Sequence, residues 1–529
     1  MRYEAKQINP IIGLDYPDPD VIRVGDTYYL ISTTMHFMPG AEILRSYDLV
    51  NWEHASYVYD SLDHTPGQTL TGRDNIYGQG MWAASLRWHK GNFYVCFVAN
   101  DTGKTYLYTA PSVEGPWKKQ LIQGFYHDCS LLFDDDDRIY LAYGNRDIRL
   151  IQLKEDLSGP KENGLNRIAV SDRGNPYLGY EGTHFYKING KYNLFLIHSL
   201  RERWMRVEAC FVSDSLEGEF RGGDVLNDDR GRTGDGVAQG GIVDTPQGDW
   251  YAVLFQDYGA VGRIPILLPV TWKGEMPVFG SEGKVPDEFK AAAARPEYVY
   301  APLTADDDFM GGYDAVCCRD GRRTVDAAYD SFGFRSCWQF NHEPDLSLIE
   351  RDRRNGRVIV TTGKLCESVL QARNMLTQRM KFPRCSAEIT VDGSRLKEGD
   401  YAGLCALSGG YGFAALTKRG GRLWIVMRSR DGKDGSPDPQ GSHPAKEKEQ
   451  EAVLIERSVA RFRAEADFAE GKDEIQFFYE SGDGFRPVGT AHKLYFRLDH
   501  FTGCRFGLFV YAGLETGGSA SFEDFRIKE

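Results

Sequence analysis

Short apolar runs opened by a polar or acidic residue, turned by Gly, Asp or Asn and left on an aromatic strand recur five times in the first half of the chain. The first copy is Asp18-Pro19-Asp20-Val21-Ile22-Arg23-Val24-Gly25-Asp26-Thr27-Tyr28-Tyr29-Leu30. The second and third are Trp82-Ala83-Ala84-Ser85-Leu86 with Gly91-Asn92-Phe93-Tyr94, and Asp128-Cys129-Ser130-Leu131-Leu132-Phe133 with Asp137-Arg138-Ile139-Tyr140. The fourth and fifth are Glu181-Gly182-Thr183-His184-Phe185-Tyr186 with Gly190-Lys191-Tyr192, and Gln239-Gly240-Gly241-Ile242-Val243 with Gly248-Asp249-Trp250-Tyr251. Hairpin-bearing repeats a few tens of residues apart predict a β-propeller, here of five blades. Polar turns closed by a large aromatic follow the middle strands at Trp52, Trp117 and Phe220, with a weaker version at 155–160.

The pattern changes beyond Pro269-Val270-Thr271-Trp272. A Pro- and Ala-containing stretch through Pro296 has modest helical potential. From about Asp306 there are alternating strands without the blade signature, at 387–391, 423–427, 475–479 and 506–511. They predict an antiparallel β-sandwich of the jelly-roll or concanavalin-like kind. The expected organisation is therefore all-β, with a propeller over 1–300 and a sandwich over 301–529, and with 430–451 as a polar surface loop.

Composition narrows the function. Net charge is -13, which argues against nucleic-acid and anionic-membrane partners. The aromatic share of 13% suits strands and surfaces that stack on sugar rings. No apolar run approaches the roughly 20 residues of a membrane helix, and no leader opens the chain, so a cytoplasmic location is expected as written; a secreted or periplasmic protein trimmed of its leader would read the same. The ten cysteines show no C-x-x-C spacing and read as reduced and structural, the adjacent Cys317-Cys318 included. No P-loop, dinucleotide fingerprint or H-E-x-x-H is present.

Three blades open on a carboxylate: Asp18, Asp128 and Glu181. In a propeller these openings converge at one mouth of the central channel. Carboxylates gathered in a half-dry pocket repel, and the proton affinities that result serve acid–base chemistry, glycoside hydrolysis most directly. Each residue alone could be a turn or strand-start acceptor, and Asp15 and Asp20 compete with Asp18.

Asn9-Pro10-Ile11-Ile12, Tyr16-Pro17-Asp18-Pro19-Asp20-Val21, Gly80-Met81-Trp82-Ala83 and the segments at Asp128 and Glu181 together resemble glycoside hydrolase family 43. The second domain resembles the sandwich appended to that family's β-xylosidase-type members. The resemblance implies Asp18 as general base, Glu181 as general acid and Asp128 as the carboxylate that tunes the acid and holds the sugar. It implies a single inverting displacement, with base and acid separated by roughly 6.5–9.5 Å. Arg263 matches an arginine that bonds sugar hydroxyls, and Gln239 stands at the fifth blade's opening. Trp82 and Phe37 are candidates for the apolar wall, and Phe501 for a sandwich segment reaching over the pocket. No cofactor is required. Many relatives carry His near a hydrated channel calcium where this chain has Gln239, so no metal ligand is assigned.

The expected activity is exo-acting release of a terminal pentose from plant-derived oligosaccharides, β-D-xylose first and α-L-arabinofuranose second. A sugar-binding propeller without catalysis would lack one of the carboxylates. A retaining fructosidase should show Asn-Asp-Pro-Asn and Arg-Asp-Pro, which are absent. Whether the chain forms a homo-oligomer stays open.

Overall fold

The computed structural model describes residues 2–4, 8–313, 327–430, 447–495 and 501–529. Five four-stranded antiparallel sheets follow one another in the chain. Their innermost strands are Asp20–Val24, Met81–His89, Ser130–Phe133, Glu181–Ile188 and Ala238–Asp244, and each sheet is one blade. Tight hairpins set the register. In Lys90-Gly91 and Asn189-Gly190 both residues have positive φ, the paired conformation whose twist matches the flanking strands. The closing aromatics are buried or half-buried, with Trp52 Nε1 donating to the Leu49 carbonyl (3.0 Å) and Trp117 Nε1 to that of Val113 (3.2 Å).

The stretch read as having modest helical potential forms a strand instead. Lys290–Ala292 pairs with Arg2–Glu4, because backbone pairing to the chain start outweighs the weak propensity of a short Ala run.

The second half packs a seven-stranded sheet, which includes Arg384–Asp392, Val459–Asp467 and Ser519–Lys528, against an eight-stranded one. Its edge strand Lys448–Ile455 takes in residues expected to be loop; the charged side chains of Lys448–Glu451 face solvent, as an edge position allows. Residues 431–446 lie outside the described residues, as do Cys317 and Cys318. The eight described cysteines are unpaired, and Cys96 Sγ lies 3.5 Å from Cys129 Sγ.

The two halves share a sheet. Phe37–Met38, from a blade-1 loop, pairs with Gln339–Asn341 as the far edge of the eight-stranded sheet. Beside it Glu42 and Arg379 form a buried ion pair (2.8 Å), and Arg379 Nε also donates to the Asp15 carbonyl (2.8 Å). Apolar residues of blades 4 and 5 and of both sandwich sheets form one continuous core. This interface fixes the sandwich against the propeller mouth.

Candidate active site

Each blade enters its inner strand through a left-handed residue: Asp18 (φ 51°), Ala83 (23°), Asp128 (48°), Gly182 (63°) and Gln239 (57°). A β-bulge accompanies the kink in blades 2, 4 and 5. Such a conformation is costly for most L-residues and best tolerated by Gly, Asn and Asp, so acidic residues at these entries are locally consistent. In this register Glu181 is not equivalent to Asp18 and Asp128. It stands one position earlier, level with Trp82 and His127.

Asp18 is buried. Its Oδ1 accepts from Arg263 Nη1 (2.7 Å) and its Oδ2 from Thr33 Oγ1 (2.7 Å). Arg263 is held in turn: its Nε lies 3.4 Å from Asp257 Oδ1, and its guanidinium is stacked between the rings of Phe255 and Phe501, 4.4 Å from each centroid. It is therefore part of the mouth and not an ordinary surface ion pair. Glu181 Oε2 accepts from Asn145 Nδ2, while Asp128 Oδ2 accepts from the Gly182 N–H (2.9 Å). His127 Nε2 lies 3.5 Å from both Asp128 Oδ2 and Glu181 Oε2.

Electrostatics bind these groups into one unit. Burial pushes Asp128 up to about 6; His127 opposes the rise, and the charges of Glu181 and Asp18 add to it. Burial works against protonation of His127, yet Asp128 and Glu181 outweigh it and lift the imidazole to about 9.

Trp82 meets Phe501 edge-on (5.1 Å) and His127 (6.1 Å), so the candidate wall is built from both domains. The Phe501 loop is anchored by Asp15, whose Oδ2 accepts from the Gly503 N–H and Oδ1 from the Arg263 N–H, both at 2.7 Å. Gly503 admits no side chain, since a Cβ there would lie 2.1 Å from the Val261 carbonyl oxygen. Two other residues expected to meet the sugar, Phe37 and Gln239, are buried, as Asp18 and Asp128 are. Phe37 is 2% exposed, in the interdomain sheet with Arg505 stacked on its ring at 3.4 Å. Gln239 is buried, packed under Gly182, with its N–H donating to Glu208 Oε2 (2.7 Å).

Below the mouth, polar groups of four blades pair with one another. Arg87 reaches from blade 2 to Asp20 Oδ2 (2.7 Å) and Ser130 Oγ (2.7 Å), and stacks on Tyr186. His184 Nδ1 and the Tyr186 hydroxyl each lie 3.2 Å from Asp20 Oδ1. With a guanidinium at its centre, this donor set does not suit the calcium that the resemblance allows, and no step is derived through one. Sequence reasoning missed His127, Asn145 and Arg87, and took Asp15 only as a competitor of Asp18. Aligning the blades on their left-handed residue would have drawn attention to His127, which shares a position with Glu181.

Residues 8–277 match the model of glycosyl hydrolases family 43. The chain belongs to that family. Residues 303–528 of this family 43 protein match the β-xylosidase C-terminal concanavalin A-like domain. A bifunctional GH43-CE protein of Bacteroides eggerthii is 39% identical, with a TM-score of 0.86 over 99% of this chain and 64% of its own. A β-xylosidase of Formosa agariphila is 28% identical over 388 residues, 66% of this chain and 61% of its own length. A xylosidase/arabinosidase of Humicola insolens is 26% identical over 535 residues, spanning 91% and 88% of the two chains. The chain thus spans less than two thirds of the first two relatives.

Proposed function

We propose that this family 43 protein is an inverting, exo-acting glycosidase that releases a terminal β-D-xylose from xylo-oligosaccharides. The observation that carries the reading is the meeting of Asp18, Asp128 and Glu181 from three blades at one mouth, each held by its own donor. Asp18 is the base: fixed by Thr33 and Arg263, it takes a proton from the water that attacks the anomeric carbon. Glu181, oriented by Asn145, gives its proton to the departing glycosidic oxygen as the carbon–oxygen bond breaks. Asp128 is the third carboxylate, acting on Glu181 through charge and on the loop through the Gly182 N–H. Phe501 and Trp82, meeting from the two domains, would close the cleft behind one sugar and so favour chain ends.

The names of relatives favour xylose and keep α-L-arabinofuranose as a second reading, since one is called a xylosidase/arabinosidase. Aryl β-D-xylopyranoside and aryl α-L-arabinofuranoside, assayed side by side with Asp18→Asn as control, test both. Hydrolysis that disappears in the variant supports the reading, and the rate ratio selects the sugar. Proton NMR of the first product formed should show the inverted anomer; the retained anomer would refute the single displacement.

A further inference from the structure

His127 stands between the two carboxylates at ion-pair distance from both. Nε2 is shut off from solvent and stands 3.5 Å from each oxygen, at the outer limit of a hydrogen bond. His127 Nε2, Asp128 Oδ2 and Glu181 Oε2 all lie within 4.8 Å of one another. A tetrahedral zinc ion with bonds of about 2.0–2.1 Å separates its ligand atoms by roughly 3.3–3.4 Å. Two of the three separations here fit such an edge.

We propose that His127, Asp128 and Glu181 form a binding site for a borderline-soft divalent cation, zinc above all, whose occupation shuts off hydrolysis at the acid.

The surroundings are those of a built site. Each ligand oxygen already accepts one N–H, Oδ2 from Gly182 and Oε2 from Asn145, which fixes its direction and leaves a second lone pair for a metal. His127 and Asp128 are adjacent in the chain, and the Gly144 N–H holds their segment by donating to the His127 carbonyl (2.9 Å). The nearby guanidinium of Arg263 is already engaged by Asp18 at 2.7 Å and Asp257 at 3.4 Å, so its charge is largely answered before a cation arrives. One imidazole with two carboxylates selects zinc, copper or nickel over calcium and magnesium, which seek more oxygen ligands. Three protein ligands leave the fourth position for water. A metal on Glu181 Oε2 competes with the proton that this oxygen must carry, so the bound form cannot protonate a leaving group.

The test is calorimetric titration of tag-free, chelator-treated full-length protein with zinc chloride, no sugar present, so that its outcome is independent of the hydrolytic reading. One zinc per chain at micromolar affinity is expected, with no comparable heat from calcium or magnesium. His127→Gln and Glu181→Gln should each weaken binding by at least about tenfold, the loss that even outer-shell changes produce at metal sites. His198→Gln removes a different histidine–carboxylate contact, to Asp224 at 2.8 Å, and should leave the affinity unchanged. Circular dichroism verifies that the variants are folded. Absence of binding at millimolar zinc, or equal affinity in folded His127→Gln, would overturn the site. Zinc that binds while xylobiose, whose leaving group needs the acid, is still turned over at the metal-free rate would overturn the block.

Discussion

The mouth and the floor of the propeller channel treat carboxylates in opposite ways. Asp20, on the floor, is fully buried and surrounded by donors: Arg87, the Leu86 and Val21 N–H groups, the Tyr186 hydroxyl and His184. Burial alone would raise its proton affinity, but Arg87 and His184 overcome that and hold it down to about 2. Asp128, at the mouth, accepts one backbone N–H, faces two other carboxylates and rises to about 6. Burial acts on both; the difference is in what answers the charge. The floor is built to be finished when the protein folds, whereas the mouth keeps acceptor capacity in reserve for a substrate.

Breaking the mouth should cost activity and little stability. Glu181→Gln is expected to lower kcat/KM on xylobiose by about 10²–10⁴-fold, the range that general acid catalysis supplies. An aryl xyloside with a good leaving group should lose much less, and equal losses on the two would remove Glu181 from the acid role.

Breaking the floor should do the reverse. Arg87→Met takes from buried Asp20 the guanidinium that answers its charge, at a cost of about 3–5 kcal/mol in urea denaturation. A loss below about 1 kcal/mol would mean that the ion pair does not hold the blades together.

Asp15 lies between these extremes. Asp15→Asn replaces one of two acceptors, those facing the Arg263 and Gly503 N–H groups, and should cost roughly 1–3 kcal/mol. Because Gly503 anchors the Phe501 loop, KM for short substrates should rise more than kcat falls. A pure kcat effect would show that the anchor does not serve the pocket wall.

Linkage gives the finest comparison. Burial raises Asp15 to about 6 despite its two N–H donors and the Arg379 and Arg505 charges, so between about pH 4 and 6 the folded protein holds more protons than the unfolded one. Its contribution to stability is greatest below about pH 4 and is lost as pH rises through 6. Asp20 has the opposite sign, its contribution being present above about pH 4 and lost as pH falls toward 2. The urea midpoint of the wild type should therefore gain on that of Asp15→Asn as pH drops from about 6.5 to 4. A constant gap would show that the Asp15 proton is not linked to folding.

The blades were readable because each repeats a local code: a turn, an apolar run and a closing aromatic, all set by residues within a few positions of one another. The three carboxylates were readable for the same reason, as breaks in that code. The pairing of Phe37 was not. Its neighbours in sequence give no sign that a two-residue strand carries it into a sheet whose next strand lies some three hundred residues further on. His127 stayed hidden because the kinked entry shifts the blade-to-blade equivalence by one position, which apolar spacing does not reveal.

The sequence by itself determined the architecture of blades and sandwich and the three acids, since these follow from short-range patterning. Only the tertiary structure separated Asp15, Asp18 and Asp20 into an anchor, a candidate base and a channel ion pair. Their patterns are nearly identical; what differs is the partner each meets: Gly503 from the sandwich, Arg263 from blade 5 and Arg87 from blade 2. A carboxylate's chemistry is set by the donors and charges around it, and those arrive from elsewhere in the chain.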